Sequence, residues 1–502
     1  MAKASERFDV VVVGCGNAAL CAALSAHDGG ARVLVLEKAP EAWRGGNSAF
    51  SGGLFRFAFK GVEDIYELVP DLSDEEKATY EIPAYTSEQF FDDLARLTEY
   101  ETDGDLASTL IGESLPTLKW MRTKGLRLVP AAGRQAFKVG GKLRFWGGLV
   151  LEIVGGGRGL IDSLLDAVKK TDIEIRFETK AARLLTDHQS GAVTGAEVRG
   201  PEGPYEVHAP SVVLASGGFE ANAEMRCRYL GPGWELARVR GTPYNTGDGI
   251  RMALEIGAQS YGHWSGCHAV QWDLNSPPYG SLTVGESYQK HSYPFGILVN
   301  VEGRRFLDEG ADFRNYTYAK YGHVVLKQPR RTAWQVFDQK VVHMLRAEYR
   351  IREVTKVEAD TLEKLAEGME IDVQGFVKTV KEYNASIRKD VEYDPTIKDG
   401  KCTVGIDPPK SNWALPLDAP PYVAYGVTTG ITFTFGGVRV NTKAEVLNTE
   451  NAVIPGLFAA GELVGGVYYF NYPGGAGLTL GAVYGRLAGA SAARRAAKLR
   501  AG

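Results

Sequence analysis

Between Asp308 and Gly322 the chain reads DEGADFRNYTYAKYG and sets Arg314 among Tyr316, Tyr318 and Tyr321. Three kinds of chemistry are open to that group. The guanidinium can pair with Asp308 or Asp312 and hold structure. It can bind an acid through charge-assisted, often bidentate hydrogen bonds. It can also hand a proton to a carbanion, or stabilise a tyrosinate at Tyr316 or Tyr318 that accepts one. An arginine is well suited to donate, but with a pKa above ~12 it needs help to accept at neutral pH.

Such a group needs a reaction partner, and the glycine-rich segments imply one. Residues 8–39 read as strand, turn, helix and strand, with DVVVV as a buried parallel strand. In the turn, Gly14-x-Gly16-x-x-Ala19 allows a tight bend, close approach of a pyrophosphate, and tight helix–strand packing, with Asn17 and Ala18 at the helix start. The helix N-terminus faces the phosphate with free N–H groups. Glu37 ends the second strand, where it can accept from ribose hydroxyls, and Lys38 follows it.

Further segments favour FAD over NAD. RGGNSAFSGG offers Arg44, Gly45, Gly46, Asn47, Ser48, Gly52 and Gly53. The strand KAARLLTD offers Ala182, and VVLASGGF offers Ala215, Ser216 and Gly217. IPGLFAAGELVGG ends a strand with Gly461 and Glu462, the latter suited to a ribityl hydroxyl. GAGLTLGAVYGRLAG then opens a helix with Gly477, Leu478, Thr479 and Leu480, whose N-terminus can stabilise negative charge on a reduced flavin. Asp248 in NTGDG is expected to cap the helix that follows it.

The fold class implied is α/β: a split Rossmann-like FAD-binding domain with an inserted α+β capping domain. Residues 1–260 and 437–502 are expected to hold FAD, with a helical insertion at about 60–135. Residues 261–436, which include a long amphipathic stretch from Ala359 to Lys389, are expected to form the capping or substrate domain. A net charge of −4, from 57 basic and 61 acidic residues, argues against nucleic acid as a partner. Five cysteines without a Cys-x-x-Cys spacing argue against a disulfide framework, a structural metal and a disulfide reductase. No transmembrane segment is expected, and MAKASER lacks the apolar core of a signal peptide, so a cytoplasmic setting is expected.

Taken in order, these segments resemble the fumarate reductase/succinate dehydrogenase flavoprotein superfamily over nearly the whole chain. AWRGGNS, RRFLDEGADFRNYTYAKYG, PPKSNWALPLDAPPYVAYGVTTGITFTFGG and YYFNYPGGAGL are most similar to FAD-dependent tricarballylate dehydrogenases. The resemblance implies hydride exchange between a substrate carbon and the flavin, with a side chain handling the proton on the adjacent carbon. It puts Arg314 at the proton-handling position and His268, in SGCHAVQW, at a carboxylate-binding one. Phe433 stands where a second histidine is expected, and Tyr472 where a carboxylate-binding arginine is expected. The acid and arginine of the proton relay fall near Gln289 and Ser292. No histidine in RGGNSAFSGG is available for covalent attachment, so FAD is expected to be noncovalent.

These departures remove positive charge from the expected pocket and disfavour fumarate. Tyr472 before a glycine pair is also similar to ketosteroid dehydrogenases, in which a tyrosine polarises a ketone. Tyr472, Tyr316 and Tyr318 are thus further catalytic candidates. The expected substrate is a small-molecule carboxylate or ketone, and a separate electron-transfer protein is implied to reoxidise the flavin. A flavin monooxygenase and a noncatalytic electron-relay or assembly subunit are the competing readings.

Overall fold

The computed structural model describes residues 6–501; Met1–Ser5, most of the segment read above for a signal peptide, lie outside them, as does Gly502. Val10–Val13 are buried on both faces, as a central parallel strand requires. The sheet around them runs Glu174–Arg176, Val33–Leu36, Val10–Val13, Ser211–Leu214, Val453–Ala459 and Glu445–Leu447. All neighbours are parallel except the last pair. Segments from the two ends of the chain therefore share one sheet.

The helix Asn17–Asp28 leaves the central strand and packs along the terminal helix Ala476–Ala501. Small residues make this contact close: a Cβ on Gly489 would lie 2.1 Å from the carbonyl oxygen of Ala22. Ser25 Oγ donates to Arg486 O at 2.7 Å and fixes the register.

The stretch VHAPSVVLAS spans two strands. Gly203–His208 joins a separate four-stranded sheet with Glu6–Arg7, Val193–Gly200 and Lys180–Thr186, and Ser211–Leu214 joins the central one. Pro210 between them has no N–H to continue a ladder. The amphipathic stretch from Ala359 is likewise two helices, Leu362–Met369 and Val373–Ser386. Glu370 ends the first in a left-handed conformation (φ 57°), and Asp372 caps the second through Gln374 N. The region near 60–135 carries the helices Val62–Leu68, Asp74–Thr79, Ser87–Leu97 and Gly104–Thr123.

A second mixed sheet is organised by the 13-residue strand Tyr422–Thr434. It pairs with Cys267–Asp273, Ala333–Phe337 and Lys356–Ala359, and also with Arg238–Val239, which lies ahead of residue 261. The DEGADFRNYTYAKYG stretch is not a surface loop. It forms a turn at Arg314–Tyr316 and then the helix Tyr318–Leu326, with Tyr316, Tyr318 and Tyr321 buried. Among the described residues no helix is long and apolar enough to cross a membrane, and no cluster could hold a metal ion.

Candidate active site

One cavity runs from the C-terminal edge of the parallel sheet to the underside of the second sheet. Its inner end is built of main chain. Gly14 has φ +111°, and a Cβ there would lie 2.4 Å from Ala215 O, so only glycine fits this turn. Asn17 donates through its side chain to Leu478 O at 2.8 Å, which ties the starts of the two long helices together. Glu37 closes this end; burial raises its pKa, partly offset by the N–H of Ala39, which donates to it at 2.7 Å. The Ser216 hydroxyl is buried and has no partner. A cradle with no room for side chains, an acid at the strand end and an orphaned hydroxyl fit a dinucleotide such as FAD. Gly16, Ala18, Lys38, Gly45, Gly46, Asn47, Ser48, Gly52, Ala215, Gly217, Gly461, Glu462, Gly477, Leu478 and Leu480 line the same cavity.

Several expected contacts are not made. Ala19 is fully buried and does not line the cavity. Arg44 turns to Asp162, at 2.8 Å. Gly53 packs on the main chain of Gly156, 2.6 Å from where its Cβ would be. On the strand Lys180–Thr186 it is Lys180 and Ala181 that line the cavity, while the carbonyl of Ala182 accepts from Arg251 at 3.0 Å. The Thr479 hydroxyl donates to Arg56 O at 2.7 Å. Asp248 does not cap its helix either. Gly247 holds that position, and Asp248 instead pairs with Lys38 and Lys180, each at 2.6 Å. Burial opposes its ionisation, but hydrogen bonds from the two lysines outweigh that and bring the carboxyl to about 2.

At the outer end, His268 lies 5.0 Å from Tyr318, 4.8 Å from Tyr472 and 5.2 Å from Phe433, ring centre to ring centre. The hydroxyls of Tyr318 and Tyr472 hydrogen-bond to each other. Burial pushes both phenols up, Tyr472 far up. Neither ring nitrogen of His268 has a partner, and burial, reinforced by Arg240, holds its pKa well below the usual range. His268 is thus a neutral imidazole with its nitrogens free. Tyr316 stands apart from this group: its hydroxyl donates to Asp93 at 2.7 Å, and it does not line the cavity.

Arg314 faces the cavity. The carboxylates that were candidates to pair with it are taken: Asp308 accepts from Ser411, and Asp312 pairs with Arg96 at 2.8 Å. One terminal nitrogen of Arg314 has no partner, and its guanidinium carbon lies 5.9 Å from the centre of the Tyr318 ring. Burial, with Arg346 close by, lowers the guanidinium to about 9.

The sequence reading missed the cations around it. Arg134 is bound to Glu286 (2.5 Å) and Glu152 (3.1 Å), Arg240 lies 3.4 Å from Glu286, and Arg346 lies 3.2 Å from Glu348. All three arginines line the cavity, as does His291 with an unpartnered Nε2. The expectation of a pocket stripped of positive charge is therefore corrected. The charge returns on segments that carry no motif. Gln289 and His291, from the stretch where the relay residues were expected, line the cavity. A second cavity shares Arg134, His291, Arg314 and Arg346, and its wall includes the aromatic side chains Phe137, Phe295, Trp413 and the stacked pair Trp146 and Phe313 at 4.9 Å.

The family model described as an FAD binding domain matches residues 9–478. A probable fumarate reductase of Shewanella frigidimarina is 31% identical, over 98% of this chain and 76% of that one. The open conformation of a flavocytochrome c3 fumarate reductase superposes with a TM-score of 0.72 at 30% identity, covering 98% of this chain and 79% of that one. A 3-ketosteroid delta1-dehydrogenase from Sterolibacterium denitrificans, solved with 1,4-androstadiene-3,17-dione, gives 0.74 at 22% identity over 98% and 100% of the two chains, a likeness of fold.

Proposed function

Because the chain belongs to the fumarate reductase/succinate dehydrogenase flavoprotein family, we propose that it is an FAD-dependent oxidoreductase that removes or adds two hydrogens across a C–C bond next to a carboxylate. FAD, when bound, supplies the group that exchanges hydride with the substrate carbon. The observation that carries the reading is Arg314, a guanidinium enclosed by protein, facing the cavity, with a free N–H and no carboxylate of its own.

Arg314 handles the proton on the carbon next to the hydride site. In the reducing direction its N–H donates. In the oxidising direction the lowering to about 9 lets it accept at moderately alkaline pH. Arg240, Arg134 and Arg346 bind and orient carboxylates. They bring four guanidiniums, counting Arg314, against the three carboxylates of Glu286, Glu152 and Glu348 beside them, which leaves an excess of positive charge for an anionic substrate. His268, neutral, offers an N–H to a substrate oxygen. Phe433, Tyr468 and Tyr472 wall the site and exclude water.

The finer reading is oxidation of tricarballylate to a cis-aconitate type product. It is supported by the sequence likeness above and by a pocket cationic enough for several carboxylates. A separate electron-transfer protein would then reoxidise the flavin. The free thiols Cys15, Cys21, Cys227, Cys267 and Cys402 favour a reducing, cytoplasmic setting. Residues 1–260 and 437–502 would hold FAD, with 261–436 covering the substrate.

A second reading is dehydrogenation of a cyclic ketone, and the Tyr318–Tyr472 hydrogen bond favours it, since a paired phenol can polarise a carbonyl. Anaerobic bleaching of the bound flavin separates the two. Tricarballylate, succinate and citrate are run beside cyclic ketones. Bleaching by acids supports the first reading, and bleaching by ketones alone rejects it.

A further inference from the structure

Glu220 follows the Gly217-Gly218-Phe219 turn and has no exposed surface. One of its carboxyl oxygens accepts from the side-chain amides of Asn47 and Asn245, both at 2.6 Å. The orientation of Asn47 is set by Thr242 N, which donates to its carbonyl oxygen at 2.8 Å, so its NH2 faces Glu220. The second oxygen of Glu220 is buried and no donor reaches it. The adjacent guanidinium of Arg226 is spent on the main-chain carbonyls of Glu220, Trp234, Glu235 and Ala237.

The hydrogen-bonding neighbour of that carboxyl is Glu462, another acid. Glu462 stands in the turn Gly461–Leu463, lines the FAD cavity, and accepts from Thr434 N at 2.8 Å and Thr434 Oγ1 at 3.2 Å. Its Oε1 packs closely on Gly218, where a Cβ would lie 2.1 Å from it. Two enclosed acceptors that face each other, with no cation hydrogen-bonded to either carboxyl, cannot both be ionised without a large penalty.

We propose that Glu220 and Glu462 hold one proton between them, carried on Glu220 and donated to Glu462, and that this bridge aims the cavity-facing oxygen of Glu462 at a ribityl hydroxyl of FAD. Glu220 is then a positioning residue that acts through Glu462. Burial, and then the charge of Glu462, push the Glu220 acid well above the usual carboxylate range, in keeping with the bridge. The pair presents one negative charge to the cofactor instead of two.

The test uses the FAD-loaded protein at neutral pH. Infrared difference spectra between wild type and Glu220→Gln should show the carbonyl band of a protonated carboxylic acid, sensitive to deuterium, in the wild type and absent from the variant. Glu462→Gln should remove it too. In reconstitution of the apoprotein followed by flavin fluorescence, Glu220→Gln keeps a donor and should hold FAD within about threefold of wild type. Glu220→Leu, of similar volume, should weaken it by about tenfold or more. If Glu220→Leu does not fold, the band and the Gln variant decide the matter. A wild type without the band overturns the proposal. So does a Glu220→Gln protein that melts normally yet loses FAD by tenfold or more.

Discussion

The hydroxyls of Tyr318 and Tyr472 meet in one hydrogen bond across 154 positions of sequence. Tyr318 opens a helix that lies against the strand Cys267–Asp273, and Tyr472 stands just ahead of the terminal helix. The bond thus joins the second sheet to the segment ahead of the last described helix at the outer end of the cavity. Burial keeps both phenols protonated, so the pair is a neutral donor and not a standing base.

Tyr472→Phe separates the two substrate classes. On an acid held by arginines it should cost about tenfold or less in kcat/KM. On a ketone that needs the phenol as its oxyanion donor, the loss should be on the order of 10² to 10³. Steady-state kinetics with an artificial electron acceptor gives the answer.

Arg314→Met should abolish turnover by on the order of 10³-fold or more while the flavin spectrum stays that of bound FAD. The same change removes an enclosed charge that has no carboxylate partner, so it should leave the melting temperature unchanged or raise it. A protein that melts lower, with FAD affinity lost, would mean that Arg314 holds structure instead.

The pH dependence follows from the lowered guanidinium. The base form of Arg314 grows as pH rises toward about 9, so substrate oxidation should climb over that range while the reverse reduction falls. Burial is the main cause of the lowering; the charge of Arg346 adds to it, and Tyr293, Tyr318 and Glu348 oppose it. Arg346→Met removes a repelling charge, so the alkaline limb should move to higher pH. A profile that stays put in this variant rejects Arg314 as the titrating group.

Asp248 ties acid stability to the cofactor cradle. Its carboxyl is brought from the ordinary 3.8 to about 2 by two lysines, a difference of about 2 kcal/mol. The folded-state value is the lower one, so the contribution is present above pH ~4 and is lost as pH falls toward about 2. Asp248→Asn should lower stability at neutral pH and flatten the decline between those values, as read by urea denaturation at each pH.

What could be read in advance divides along physical lines. The inner end of the cavity was legible because its wall is largely main chain, and main chain leaves glycines at fixed spacing: Gly14, Gly16 and Gly217 all line it. Residues that merely neighbour such motifs were harder. Ala182 and Thr479 share segments with cavity-lining residues but turn away, because a strand alternates its faces and a helix presents only one stripe, while Arg44, between two short turns, is drawn to Asp162. The outer end was legible only where a tyrosine or arginine stood in a distinctive phrase, as in DEGADFRNYTYAKYG. Arg134, Arg240 and Arg346 come from three unrelated segments, and only the fold gathers them. Glu220 was missed because a glutamate after a glycine pair carries no pattern; its meaning appears only with Glu462 beside it.

The pairing of the first long helix with the last bears on how the protein is made. Asn17 reaches Leu478, Ser25 reaches Arg486, and Glu462 and Gly477 complete the cradle that Gly14 begins. A ribosome delivers these partners more than 400 residues apart. Until the helix from Ala476 emerges, the helix Asn17–Asp28 lacks the partner that covers it, and a nascent chain exposes apolar surface for most of its synthesis. The cradle is incomplete until Glu462 and Gly477 have been made, so cellular yield should respond to chaperone supply and free FAD more than to the stability of the finished fold.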